Sequence, residues 1–228
     1  MGVKGASPSR PRIGVFGGTF DPIHHGHLAI ARAAAAALHL DNVIFVPSGN
    51  PYLRAAPKAS AELRLKMVAA AVANEPRFSI SRVDVDRPGP SYSLDTMADL
   101  RRVLPPESEL FLIIGADILT QLDRWRDPER LLREVKLVCV DRPGFTRPEQ
   151  LPRGHPGRTA LFIEGPMFEV SATEVRSRLA RGTGAEELVP AAVLDIIRVN
   201  HLYEGTQDPE RGERCRRNRK CRAGWSEF

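Results

Sequence analysis

Residues 12–28 read RIGVFGGTFDPIHHGHL, and this stretch decides the fold. Ile13, Val15 and Phe16 form a short run suited to a strand, Gly17 and Gly18 let backbone come close to a ligand, and Leu28–Leu38 has the length and alanine content of a helix. The cluster His24, His25 and His27 falls where that helix begins. Free N–H groups and the positive end of the helix dipole favour an anion there, and imidazole donors beside them can grip phosphoryl oxygens.

Outward from this turn, apolar runs alternate with helical patterns. Arg12–Phe16, Asn42–Pro47, Phe78–Val83, Glu109–Ile114, Val135–Val140 and Ala160–Glu164 read as strands. Ala59–Ala73, Leu94–Val103, Asp117–Leu122, Pro128–Glu134, Thr173–Arg181 and Pro190–Val199 read as helices between or after them. The alternation predicts an α/β fold whose mainly parallel sheet is covered on both faces, with ligands bound beyond the carboxyl ends of the strands where the strand order reverses. Gly144–Gly157, rich in Pro and Gly, reads as a surface loop, since a further strand and helix follow it.

A chain of 228 residues with 42% apolar content can bury a full core, and no uncharged apolar stretch approaches the roughly 18 residues of a membrane span. The first twelve residues carry Lys4, Arg10 and Arg12 but no apolar central segment, so no secretory signal is read there and a cytoplasmic location is the default expectation. Cys139, Cys215 and Cys221 have no metal-type spacing and read as reduced. The net charge of +5 belongs to the ends: residues 1–12 contribute +3, residues 206–228 another +3, and residues 13–205 carry 23 basic and 24 acidic side chains. The expected organisation is a flexible extension over 1–11, one domain over 12–205, and a basic tail over 206–228 read as a solvated disordered segment rather than a nucleic-acid arm. Nothing in the sequence excludes a homo-oligomer.

Several chemistries compete for the first motif. A dinucleotide fingerprint needs G-x-G-x-x-G, which Gly14, Gly17 and Gly18 do not supply. A zinc reading of the three histidines finds no thiolate or carboxylate pattern beyond Asp21 and leaves the glycine pair unexplained. The histidines could also simply cap the helix. A phosphate site accounts for all the pieces: glycines for close approach, Thr19 as a hydroxyl donor, His24 and His27 three apart on one helical face, and Gly26 between them for ligand clearance. At the other end of the chain, VSATEVR at 170–176 contains a capping box, Ser171 with Glu174, and also sets Thr173 and Arg176 in a first helical turn where both can meet an anion.

GGTFDPIHHGH at 17–27 resembles the signature of the HxGH nucleotidyltransferases, in the form typical of bacterial nicotinate-nucleotide adenylyltransferases, and the resemblance extends over most of residues 12–204. It implies a Rossmann-like three-layer nucleotidyltransferase fold. It implies that Gly17, Gly18, Thr19, Phe20, His24 and His27 bind ATP, and that VSATEVR stands for the family's ISSTxxR motif, with Ser171, Thr173 and Arg176 at the β- and γ-phosphates. Ala172 replaces that motif's second serine. Gly115-Ala116-Asp117 after a strand suits contact with ribose or base, beside its plain reading as a helix cap. Ser91–Thr96 is similar to the family's SYTxDT segment, which lies against the nicotinate ring, so that Tyr92 and Ser93 join the acceptor pocket; Trp125 matches the tryptophan that stacks on the pyridine. Arg142 matches an arginine near the nucleotide phosphates, although Arg-Pro-Gly is also an ordinary turn. The clearest departure is Asn50-Pro51-Tyr52-Leu53-Arg54 in place of NPPHK: Arg54 can supply the lysine's charge, whereas Leu53 cannot replace the histidine. Lys58 and Arg64 are spare cations in the same region, each also readable as part of a solvated helix face.

The activity so implied is transfer of an adenylyl group from ATP to nicotinate mononucleotide in NAD biosynthesis. The nucleophile is already a phosphate anion, so positioning and charge stabilisation by His24, His27 and Arg176 suffice, with no general base or covalent intermediate. Mg²⁺ is expected to arrive on ATP, with no metal-ligand motif in the protein.

Overall fold

A computed structural model of the chain describes residues 10–141, 145–165 and 170–205. The expected extension over 1–11 and tail over 206–228 therefore fall, but for Arg10 and Pro11, outside the described residues. Six parallel strands form one sheet: β1 (Arg12–Gly18), β2 (Asn42–Pro47), β3 (Phe78–Ile80), β4 (Glu109–Gly115), β5 (Lys136–Val140) and β6 (Leu161–Ile163). Their spatial order is β3-β2-β1-β4-β5-β6, so the direction of winding reverses between β1 and β4. Val15 pairs with Ile44 on one side and Leu112 on the other, which places the ends of β1, β2 and β4 level with one another.

Because successive strand residues face opposite sides, each central strand supplies two cores. Phe16, Val43, Phe45, Phe111, Ile113, Val138 and Val140 pack with α1 (His25–Ala37), α2 (Ala61–Val72), α7 (Ala172–Arg181) and α8 (Ala191–Val199). Ile13, Val15, Ile44, Val46, Leu110, Leu112, Ile114, Leu137 and Cys139 pack with α4 (Ser93–Val103), α5 (Ala116–Leu119) and α6 (Pro128–Glu134). The result is the expected three-layer α/β arrangement. Burial of each large apolar side chain contributes about 1.5–3 kcal/mol, which makes the two cores the main source of stability.

Local readings shift in three places. The predicted strand Phe78–Val83 ends at Ile80, where its ladder with β2 stops after three pairs, and the chain turns into a short helix, α3 (Val83–Asp86). The helix expected over Asp117–Leu122 is one turn of α5 followed by a 3₁₀ turn at Leu122–Arg124, which carries Trp125 at its end. The first helix begins at His25 rather than Leu28, with His24 as its N-cap, so His27 lies inside the opening turn. The Gly144–Gly157 loop contains 3₁₀ turns at Pro148–Gln150 and Pro156–Thr159 in its described part.

Candidate active site

A cavity of about 620 Å³ opens beyond the carboxyl ends of β1, β2 and β4, at the reversal of strand order. The opening turns of α1, α4 and α7 all border it, through His24 and His27, Tyr92 and Ser93, and Ser171 to Thr173. Three helix N-termini thus turn their positive dipole ends toward one space, an arrangement that suits a polyanion.

On the β1 side the backbone of Gly17 stands open, since a side chain there would meet nothing within 4 Å, while Gly18 is required by the ring of Phe20, which a Cβ would approach to 2.9 Å. Phe20 borders the cavity but is 2% exposed, its ring packed against Phe16, Phe45 and His27. It braces His27 from the core side. The His24 and His27 rings stack with centroids 3.6 Å apart, and the His24 backbone N–H donates to His27 Nδ1 at 3.2 Å. An accepting Nδ1 leaves the proton of the neutral ring on Nε2, so His27 carries an N–H donor on the side away from the helix cap. Gly26, between His24 and His27 in the chain, borders the cavity, and a Cβ there would press on the His24 ring at 3.1 Å. His25 is not among the cavity residues. Its backbone N–H donates to the Leu188 carbonyl, and burial, with the charge of Arg32, lowers its pKa.

From the far end of the chain α7 brings Arg176 to the same space. Its Nη1 donates to the carbonyl oxygen of Asp21 at 2.7 Å and its Nη2 to Thr173 Oγ1 at 3.3 Å. Ser171 Oγ accepts from the Glu174 backbone N–H at 3.1 Å, so the capping reading of that serine holds, and it borders the cavity as well.

The opposite side of the cavity is built by the loop after β2, the start of α4 and the segment around Trp125. Arg54 reaches across to Asp117, with 3.6 Å between Nη2 and Oδ2. Trp125 is half-buried and borders the cavity, as do Tyr92 and Ser93. Two residues here escaped the sequence reading. Tyr52 donates its hydroxyl to the Arg124 carbonyl at 3.0 Å and packs its ring 4.6 Å from that of Tyr92. Arg126 lies 4.8 Å over the same Tyr92 ring and pairs with Asp95 at 3.1 Å. Tyr52 is thus the contact that docks this loop against the start of α4 and the segment around Trp125. Lys58 is an exposed cation on the rim.

Arg64 corrects an expectation. It is no part of a solvated helix face but 1% exposed, and its guanidinium donates to the carbonyls of Thr19 (2.7 Å), Gly49 (3.1 Å) and Ala59 (3.2 Å), tying the loop after β1 to both ends of the loop after β2. Asp84, on the unforeseen α3, is buried and accepts from the Thr96 hydroxyl at 2.6 Å and from Arg87; burial raises its pKa. Ser91 Oγ beside it accepts the Gly49 and Asn50 N–H groups at 3.0 and 3.2 Å. No local pattern marks Arg64 or Asp84 in the sequence, because their partners lie on other elements.

Of the residues singled out in the sequence, Gly17, Gly18, Thr19, Phe20, His24, His27, Arg54, Tyr92, Ser93, Gly115, Asp117, Trp125, Ser171, Thr173 and Arg176 meet at this one cavity. Arg142 lies outside the described residues. Among the described residues no group of three His, Cys, Asp or Glu is placed to hold a metal ion, and no helix is long and apolar enough to cross a membrane.

Residues 15–178 match the family model described as Cytidylyltransferase-like. The chain is 47% identical over 195 residues to a protein of Leifsonia xyli named "Probable nicotinate-nucleotide adenylyltransferase", covering 86% of this chain and 95% of that one. It is 44% identical over 191 residues to a Streptomyces coelicolor protein of the same name, covering 83% and 99%. Among solved structures, the Plasmodium falciparum nicotinic acid mononucleotide adenylyltransferase complexed with NaAD superposes with a TM-score of 0.68 at 16% identity, over 85% of this chain and 98% of that one, a likeness of fold.

Proposed function

The chain belongs to the Cytidylyltransferase-like family and, within it, to the nicotinate-nucleotide adenylyltransferases, and from that premise we propose that it transfers the adenylyl group of ATP to nicotinate mononucleotide, releasing pyrophosphate and forming nicotinate adenine dinucleotide. The observation that carries this reading is the meeting of His24 and His27 with Thr173 and Arg176, from opposite ends of the sequence, on a cavity whose other side holds Arg54, Tyr92, Ser93 and Trp125. One side suits a triphosphate and the other an aromatic nucleotide with its own phosphate.

In this reading Gly17, Gly18 and Thr19 pass close along the triphosphate, while Gly115 and Asp117 receive the ribose or base. His27 donates from Nε2, with His24 beside it, to the charge that builds on the α-phosphate as the acceptor's phosphate oxygen attacks in line. Arg176 and Thr173, at the mouth of α7, receive the departing pyrophosphate, with Ser171 capping that helix. Trp125 offers a face for the pyridine ring, Tyr92 and Ser93 border it, and Arg54 supplies positive charge for the acceptor phosphate. Proton abstraction is unnecessary because the nucleophile is already ionised.

Magnesium fits this site as an ion carried on the substrate. The carboxylates that border the cavity are engaged, Asp21 by N–H and O–H donors, Asp84 by Arg87 and Thr96, and Asp117 by Arg54, so phosphate oxygens and water would be the ion's ligands. Bound there, it would supply neutralising charge to the leaving pyrophosphate. The substrates being small polar metabolites, the expected place of action is the cytoplasm, with no nucleic-acid partner.

The test is pyrophosphate release with ATP and Mg²⁺, offering nicotinate mononucleotide, nicotinamide mononucleotide and phosphopantetheine in parallel. Release should favour the nicotinate compound and fall about 100- to 1,000-fold in His27→Ala. Preference for another acceptor would reassign the pocket of Ser93 and Trp125. Absence of release with every acceptor would overturn the reading.

A further inference from the structure

Asp21 stands between the two halves of the cavity and uses every acceptor it has on the protein itself. It is 6% exposed. Its carbonyl oxygen accepts from Arg176 Nη1 at 2.7 Å. Of its carboxylate oxygens, Oδ2 accepts the Lys58 backbone N–H at 2.8 Å, and Oδ1 accepts the Ala59 N–H at 3.1 Å and the Tyr203 hydroxyl at 2.7 Å. One residue thereby joins the phosphate loop of β1–α1, the helix that delivers Arg176, the far end of the loop after β2, and the last turn of the described chain. Arg176 and Tyr203 lie 155 and 182 positions further along the sequence.

Two observations mark this junction as constrained. Phe20, immediately before Asp21, has φ +49°, and Tyr203 has φ +63°, both in the left-handed region that bulky aromatic residues avoid unless their surroundings hold them there. The Arg176 guanidinium is pinned by two acceptors, the Asp21 carbonyl and Thr173 Oγ1, so its orientation follows the position of Asp21. On the other side the Lys58 and Ala59 amides close the loop that carries Arg54, whose near end is held through Ser91.

We propose that Asp21 is a positioning residue that sets the donor-side cation Arg176 and the acceptor-side loop at Lys58–Ala59 at a fixed separation, and that Tyr203 holds Asp21 for this purpose. The inference rests on the two-substrate reading of the cavity. Asp21 touches neither reacting group. Its effect is on alignment, and an in-line displacement is sensitive to misplacement by fractions of an ångström up to about 1 Å. Each substrate still meets its own contacts when the junction loosens, so the loss falls on kcat and leaves KM for both substrates near its original value.

The experiment compares the unsubstituted protein with Tyr203→Phe, which removes one oxygen, and with Asp21→Asn. Two readouts are taken: kcat and both KM values from pyrophosphate release, and hydrogen exchange of the Lys58 and Ala59 amides. The expected result is a fall in kcat of about 10- to 100-fold in Asp21→Asn and a smaller fall in Tyr203→Phe. Both KM values should stay within about twofold, and Lys58 and Ala59 should exchange faster in each variant. If Asp21→Asn does not fold, Tyr203→Phe decides alone. Unchanged kcat, a loss carried by KM, or unchanged exchange at Lys58 and Ala59 would overturn the proposal. Failure of the unsubstituted protein to release pyrophosphate with any acceptor would refute the proposed function instead, and the exchange readout would then decide the linkage by itself.

Discussion

The His24 backbone N–H donates to His27 Nδ1, and this single bond gives different forecasts for two replacements of His27. Asn keeps an acceptor near the position of Nδ1 but has nothing at Nε2, so His27→Asn should hold the helix start and melt close to the parent while losing about 100- to 1,000-fold in kcat. Gln places its amide near Nε2 and forfeits the cap. His27→Gln should therefore retain more activity than Asn yet lose about 1 kcal/mol of stability. Urea midpoints and kcat on both variants check this, and a reversed order would assign the phosphate donor to the other ring nitrogen. The residue types of this motif were legible in the sequence because Gly17, Gly18, Thr19, His24 and His27, which border one cavity, sit within eleven consecutive positions. Arg64 was misread. The carbonyls that hold Arg64 come from the loops after β1 and after β2, so nothing beside it in its helix announces its task.

For the elements, the opening turn of α7 separates capping from chemistry. Ser171 Oγ closes the helix by accepting from Glu174 N–H, whereas Thr173 Oγ1 accepts from Arg176. Ser171→Ala should cost about 1 kcal/mol of stability, read from the denaturation midpoint, with kcat changed less than in Arg176→Ala. Equal losses of kcat would give Ser171 a direct part in the reaction. The loop between β2 and α2 is held at both ends, by Ser91 at Gly49–Asn50 and by Asp21 at Lys58–Ala59, while Arg54 to Ala56 between them are exposed. Closure of this middle part over bound substrates is expected to slow proteolytic cleavage there. Cleavage at the same rate with and without ATP and nicotinate mononucleotide would show that the loop stays open. Helix and strand positions were largely readable, since each central strand is apolar on both faces and each long helix carries a buried stripe. Strand β3 was overread because its length is set by how many partners β2 offers, and α3 was missed because four residues carry no periodicity.

Across the whole molecule, burial has a measurable consequence for pH. It pushes the Cys139 thiol from 9.0 up to about 12, and burial, with the hydrogen bond to Asp21, raises the Tyr203 hydroxyl well above its ordinary 10.0. In the unfolded chain both groups ionise near their ordinary values, while in the folded protein they remain protonated. The unfolded state therefore holds fewer protons as pH rises past about 9, and stability that is fully present below this point is lost as pH climbs toward about 12. Each group contributes a slope of at most ~1.4 kcal/mol per pH unit. Denaturation midpoints should fall through this window, less steeply in Tyr203→Phe, and a flat profile would contradict the burial of both groups. The order of strands and helices, the division of apolar side chains between two faces of a sheet, and the phosphate motif were determined by the sequence alone, because each depends on residues near one another along the chain. Only the tertiary structure decided that Arg176 and Tyr203 meet Asp21, that Arg64 ties the loops after β1 and β2 together, that Ser91 holds the near end of the loop after β2, and that Tyr52 docks that loop on Tyr92. These contacts join positions tens to well over a hundred residues apart, and such pairings are set by how the sheet brings loop ends to one edge, a property of the packed molecule that no local pattern encodes.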